Sequence, residues 1–230
     1  MTKFKLLLFI ALLVGFASPA YAGFDEGQAA YKKGDYATAY KEFKFLADQG
    51  DDDAQWRLGV MYYLGKGVPQ NYIEAVKWYR KAAAQGNSDA ERNLGYMYAN
   101  GEGVPKDEAE AAKWYRKAAD QGHASGQCHL GVMYEMGHGV PQDYAEALVW
   151  YHKAAELGDA TAQVNLGWMY IRGDGVPQDY VTAHMWLNLA AAQGYTPAER
   201  YRDEIANKMT PAQIAEAQRL AREWKPKGKD

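Results

Sequence analysis

Four side chains able to ligate a metal lie close together in the chain: His123, Cys128, His129 and His138. Their spacing matches no common zinc pattern. No metal and no other cofactor is expected. Acyl-transfer chemistry has no better support. The serines are Ser18, Ser88 and Ser125, and none has Lys three residues on. Ser-x-x-Lys is therefore absent, and so are Lys-Thr-Gly, His-Glu-x-x-His and the phosphate-binding loop of nucleotide hydrolases. Cys128 is the single cysteine, so no internal disulfide can form. It reads as a partly buried spectator, with a reactive thiol as the alternative. What remains are side chains that grip rather than react. Trp56, Tyr96 and Trp168 are candidate interface anchors, and Arg92 and Arg172 can pair with a carboxylate.

These residues sit in a repeating frame. Gly-x-Gly-Val-Pro occurs at Gly65–Pro69, Gly101–Pro105, Gly137–Pro141 and Gly173–Pro177, always 36 residues apart. A period of this size means stacked supersecondary units, which build a long surface rather than one cleft. In step with the loop run Gly59, Gly95, Gly131 and Gly167, the loop glycines Gly67, Gly103, Gly139 and Gly175, and the prolines Pro69, Pro105, Pro141 and Pro177. So do Trp78, Trp114, Trp150 and Trp186, and four Met-Tyr pairs from Met61-Tyr62 to Met169-Tyr170. Uniform columns read as packing.

Each unit reads as two helices. Helix A of the first full unit spans about Ala54 to Leu64, with Leu58, Met61 and Tyr62 on one stripe. Gly59 leaves room for another helix backbone to approach, and Gly65 and Gly67 stop the helix at positive φ. Helix B starts at Asn71, with Glu74 completing a capping-box-like start that recurs as Asp107…Glu110 and Asp143…Glu146. Helix B buries Tyr72, Ala75, Val76, Tyr79, Ala82 and Ala83. Gly86 caps it, and Lys77, Arg80 and Lys81 face outward. The Gly-rich loops follow helices rather than strands, so they connect helices and do not cradle phosphate.

The resulting plan has full repeats at 53–88, 89–124, 125–160 and 161–196. A degenerate repeat (23–52) precedes them, two capping helices (197–224) follow, and a charged tail (225–230) is expected to fray. The cap reads as a helical hairpin, Pro197–Lys208 and Pro211–Trp224, with Thr210 capping its second helix.

Residues 1–22 read as a signal peptide. Lys3 and Lys5 precede an apolar run from Leu6 to Phe16, and Ala20-Tyr21-Ala22 supplies a cleavage site after Ala22. The run is shorter than the roughly 20 residues of a spanning helix, so no stable membrane insertion is expected after cleavage. An uncleaved anchor is the alternative. The expected location is periplasmic or secreted. With 26 basic and 29 acidic residues the formal net charge is −3, so nucleic acid, which needs a basic face, is not an expected partner.

The repeating pattern Ala-x-x-x-Leu-Gly-x-Met-Tyr-x-x-Gly-x-Gly-Val-Pro-x-Asp, closed by Trp-Tyr-x-Lys-Ala-Ala-x-x-Gly, resembles the Sel1-like repeat over Ala54–Gly194. The resemblance implies an all-α fold, a right-handed α-solenoid of stacked helical hairpins related to tetratricopeptide repeats. It implies scaffold or adaptor work, with helix A lining a concave face that grips a protein or peptide partner. A cysteine-rich branch of that family is linked to β-lactam chemistry, but this chain lacks the paired cysteines of that branch.

If helix A lines the concave face, the informative positions are those that differ between units. The columns are Trp56/Arg92/Cys128/Val164, Val60/Tyr96/Val132/Trp168, Tyr63/Ala99/Glu135/Ile171 and Leu64/Asn100/Met136/Arg172. Ordinary packing is the plain alternative. The partner-binding candidates are Trp56, Val60, Tyr63, Arg92, Tyr96, Glu135, Trp168 and Arg172. His129 shares a column with Arg57, Asn93 and Asn165, which reads as an exposed polar slot. The expected function is an exported, non-catalytic scaffold. The alternatives are an envelope enzyme of β-lactamase-like or peptidoglycan-related activity, or a periplasmic regulator of a membrane sensor.

Overall fold

In the computed structural model, residues 19–227 are described, with side chains from residue 23 onward. They form twelve helices and no strand. Consecutive helices pair as α1 (Pro19–Lys33) with α2 (Tyr36–Asp48), α3 (Asp52–Leu64) with α4 (Tyr72–Ala83), and α5 (Ser88–Asn100) with α6 (Glu108–Asp120). The series continues with α7 (Ala124–Met136) on α8 (Tyr144–Glu156) and α9 (Ala160–Arg172) on α10 (Tyr180–Ala192). Each pair packs on the next, which makes an all-α solenoid of stacked hairpins. Ala22 lies in the first turn of α1, and the apolar run Leu6 to Phe16 falls outside the described residues.

Polar caps set the helix starts. Asp51, Asn87, His123 and Asp159 cap the A helices, each side chain accepting a backbone N–H at 2.7–3.0 Å. Asn71, Asp107, Asp143 and Asp179 cap the B helices. The reciprocal half of the expected box is missing in all three repeats where it is expected. Glu74 and Glu110 reach forward instead and pair with Lys77 and Lys113. A complete capping box occurs instead at α12 (Pro211–Glu223), between Thr210 and Gln213.

The Gly-x-Gly loop joins one repeat to the one before it. Gly65, Gly101, Gly137 and Gly173 end the A helices in the left-handed region. The second glycine of each loop rests on the first turn of the preceding B helix. A Cβ on Gly103 would lie 2.4 Å from the Tyr72 carbonyl oxygen. The helical glycines play a different part from the one expected. Gly59 is opposed by the ring of Tyr79, 2.6 Å from where a Cβ would stand, so the missing side chain admits an aromatic ring as well as backbone. Tyr79, Tyr115 and Tyr151 are consequently buried between alanines, which lets the hairpins close tightly.

Three further expectations change. The polar column of Arg57, Asn93, His129 and Asn165 is not an exposed slot: Asn93 is buried, and His129 stacks on Tyr115 with centroids 4.8 Å apart. Arg80 and Lys81 do not simply point to solvent. Arg80 donates to the Tyr98 hydroxyl of the next repeat, and Lys81 lies 3.9 Å from the Trp78 ring centroid. At the C-terminus, α11 (Thr196–Ala206) and α12 each pack on α10 rather than forming a hairpin with one another. The tail does not fray at its start. Trp224 packs on Trp186, and Lys227 pairs with Glu156 through both backbone and side chain at 2.7 Å.

Candidate binding face

Helices α3 and α5 bring Tyr63, Arg92 and Tyr96 together. Tyr63 and Tyr96 meet edge to face, with centroids 6.2 Å apart, and Tyr72 packs on the other side of Tyr63. With Tyr79, Asn93 and Met97 they enclose a cleft of about 240 Å³. Burial, with help from the neighbouring Tyr96 hydroxyl, pushes the Tyr63 phenol well above its ordinary pKa, so it is a protonated donor. The Nε of Arg92 is buried without a hydrogen-bond partner.

A second cleft of about 330 Å³ opens on the other side of Tyr96. Lys106, Glu108, Tyr115, His129 and His138 line it, with Val132 and Met133 on its apolar side. Lys106 is paired with Glu108 at 2.8 Å. His129 donates from Nδ1 to the Ser125 carbonyl at 2.7 Å. Burial lowers its pKa, so the ring is neutral and Nε2 is left as an acceptor. Trp56 and Val60 pack with the tyrosines of the first cleft, and the guanidinium of Arg57 covers the Trp56 ring at 4.2 Å.

Three of the expected partner-binding residues are used within the chain. Glu135 accepts from the Tyr151 hydroxyl and from Arg172, each at 2.6 Å. Arg172 also holds Asp174. Their columns differ between units because the two residues answer each other across adjacent repeats. Trp168 stands edge to face with Tyr201 of α11, 4.7 Å between centroids, and so clamps the terminal cap. Trp78, Trp150 and Trp186 are buried on the B helices, and Lys117 and Lys153 cover Trp114 and Trp150 as Lys81 covers Trp78.

Asn93, His138 and Lys106 were missed as cleft residues. Asn93 carried a signal, since a polar column set among apolar neighbours on an otherwise packed helix has to face something. His123 is an N-cap: its Nδ1 accepts from Gly126 while Nε2 faces Asp89 at 3.3 Å. Cys128 is buried, and burial pushes its thiol up, away from the reactive thiolate. Among the described residues no group of three or more His, Cys, Asp or Glu could hold a metal ion.

The Sel1 repeat profile matches residues 52–87, 88–123, 124–159 and 160–195. No curated protein matches the chain. Among solved structures, a Sel1 repeat protein from Oxalobacter formigenes is 32% identical, with a TM-score of 0.77 over 92% of this chain and 87% of that one. A protective antigen of uropathogenic Escherichia coli with an SLR fold is 36% identical, with a TM-score of 0.75. The match covers 89% of this chain but only 46% of the antigen, so the chain spans under half of that protein. An immunity protein from Pseudomonas aeruginosa, 21% identical with a TM-score of 0.57, shares the fold over 91% of this chain and 81% of its own. Four profile matches in register, on a solenoid that superposes on solved Sel1 proteins, place the chain in the Sel1 repeat family, whose repeat scaffolds generally bind other proteins and are generally not catalysts.

Proposed function

We propose that the protein is an exported, non-catalytic scaffold that holds a segment of a partner protein along its A helices, centred on Tyr63, Arg92 and Tyr96. The observation that carries this reading is the pair of adjacent clefts sharing Tyr96. They form a continuous aromatic and polar track, whereas Glu135, Trp168 and Arg172 are consumed internally. Aromatic side chains supply contact area at low entropic cost, and a half-buried guanidinium with a donor to spare supplies direction. Lys3, Lys5, the apolar run and Ala20-Tyr21-Ala22 support export. A relative at 36% identity is a protective antigen of uropathogenic Escherichia coli, which is compatible with export.

The test is photo-crosslinking in cells. A photoreactive residue at Asn100, on the rim of the second cleft, is expected to capture a discrete partner. The same residue at Lys113, exposed on α6, is expected to capture none. Capture from Lys113 alone would overturn the assignment of the face. Turnover of a chromogenic β-lactam by the purified chain would overturn the non-catalytic reading.

A further inference from the structure

Resting on the scaffold reading, we infer that the cleft between α3 and α5 is a carboxylate site, which reads one acidic side chain of an extended peptide. Arg92 lies in a cleft walled by three tyrosines and a methionine, and its Nε is buried with no partner. A buried N–H left this way is costly, and the rest of the guanidinium, which forms no ion pair among the described residues, stays open to the cleft. The chain is acidic overall, yet its own carboxylates leave this cation alone. Asp89, whose carboxyl feels the charge of Arg92, is held by His123. Glu102 approaches the Tyr63 hydroxyl instead, with its Oε2 buried and not reaching Arg92.

A planar guanidinium is satisfied best by a carboxylate held through two parallel hydrogen bonds. The flanking groups suit a peptide rather than a free ion. Asn93 lines the same cleft and offers an amide to a passing backbone, while Tyr63 and Tyr96 supply aromatic edges for the aliphatic stem of a glutamate. The second cleft adds shape without free charge. Lys106 is neutralised by Glu108, and His129 is neutral. Its apolar side is Val132 and Met133. In an extended strand, alternate side chains fall on one face about 6.6–6.8 Å apart. The predicted ligand therefore carries an acidic residue with an apolar residue two positions on.

The test uses the purified chain and two peptides, acetyl-Gly-Glu-Gly-Phe-Gly-amide and its Gln counterpart, with binding followed by calorimetry and by the Arg92 Nε–H NMR signal. The Glu peptide is expected to shift that signal and to bind about tenfold more tightly than the Gln peptide. Arg92→Gln is expected to erase the preference without lowering the melting temperature. Equal binding of both peptides, or no binding of the Glu peptide at millimolar concentration, overturns the carboxylate site. Inorganic phosphate shifting the Arg92 signal as strongly as the Glu peptide also overturns it. The crosslinking experiment judges the scaffold separately: a partner captured equally by wild type and Arg92→Gln keeps the scaffold and removes the carboxylate site.

Discussion

Glu135 on α7 and Arg172 at the end of α9 meet at 2.6 Å across neighbouring repeats, and the same carboxylate accepts from the buried Tyr151 hydroxyl. One side chain thus ties the third repeat's own B helix to the next repeat's A helix. The pair is a stitch in the stack rather than a handle for a partner. Tyr151→Phe leaves a buried carboxylate oxygen without its donor, at a cost of about 1–3 kcal/mol. The midpoint of urea unfolding should fall accordingly, while crosslinking from Asn100 stays unchanged. Loss of crosslinking with intact stability would return Glu135 to the binding face.

A second stitch is broken at one place. Gln55, Gln127 and Gln163 each donate to a carbonyl of the preceding B helix, at 3.2–3.3 Å. Gln85, Gln121 and Gln193 then donate to Gln55, Glu91 and Gln163. Leu157 occupies the corresponding place in the third repeat, and the Oε1 of Gln127 is buried without a partner. Leu157→Gln should complete the ladder and add about 0.5–1.5 kcal/mol. Calorimetry reads the rise in melting temperature, and a fall would show that Leu157 packs better than its half-buried position suggests.

Glu91 stands in the same ladder where the other units have Gln. Burial pushes its carboxyl up, only partly offset by the Gln121 donor. From the ordinary glutamate range up to that raised value, the folded chain holds a proton that the unfolded chain has lost. Stability from this site is therefore present in acid and declines as pH rises through the window. Glu91→Gln should remove that decline and let Nε2 donate like its counterparts. Melting temperatures of the two proteins should converge at acid pH and separate towards neutral. Parallel curves would sink the assignment.

The loop glycines separate two kinds of constraint. At Gly103 a Cβ would strike the Tyr72 carbonyl, and φ is +70° besides. At Gly122 φ is +82° but the space is open. Gly122→Ala should cost about 1 kcal/mol, the price of a left-handed backbone alone. Gly103→Ala adds displacement of the preceding helix and should cost about 3 kcal/mol. Equal losses from the two would mean the loop does not bear on the neighbouring repeat.

The stack was legible because a fixed period writes every helix, cap and turn four times. The candidate face was legible only in part. A variable column suggests an outward-facing one, and Arg92 and Tyr96 do line an open cleft. The suggestion fails for Glu135 and Arg172, since two variable positions one repeat apart can satisfy each other, and a column shows one residue per unit without its neighbour. It fails for Trp168 for another reason: the repeat ends there, and what covers the last unit follows no period. The docking of Lys227 on Glu156 joins residues 71 apart and left no trace in local pattern.

Trp168 allows that boundary to be tested. Its ring meets Tyr201 and belongs to the cluster formed by α10, α11 and α12, with Leu187, Ile205 and Ala217 at its centre. Because Trp168 is only half-buried, Trp168→Ala should cost about 2–3 kcal/mol, below the figure for full burial. The loss should fall on the C-terminal end first, since each unit of a solenoid is held by its neighbours. Hydrogen exchange would then speed up in α11 and α12, while α3 and α5 keep their protection and the Arg92 cleft stays formed. Undisturbed exchange at the C-terminus, with partner capture lost, would instead make Trp168 a contact residue and extend the binding track to the end of the stack.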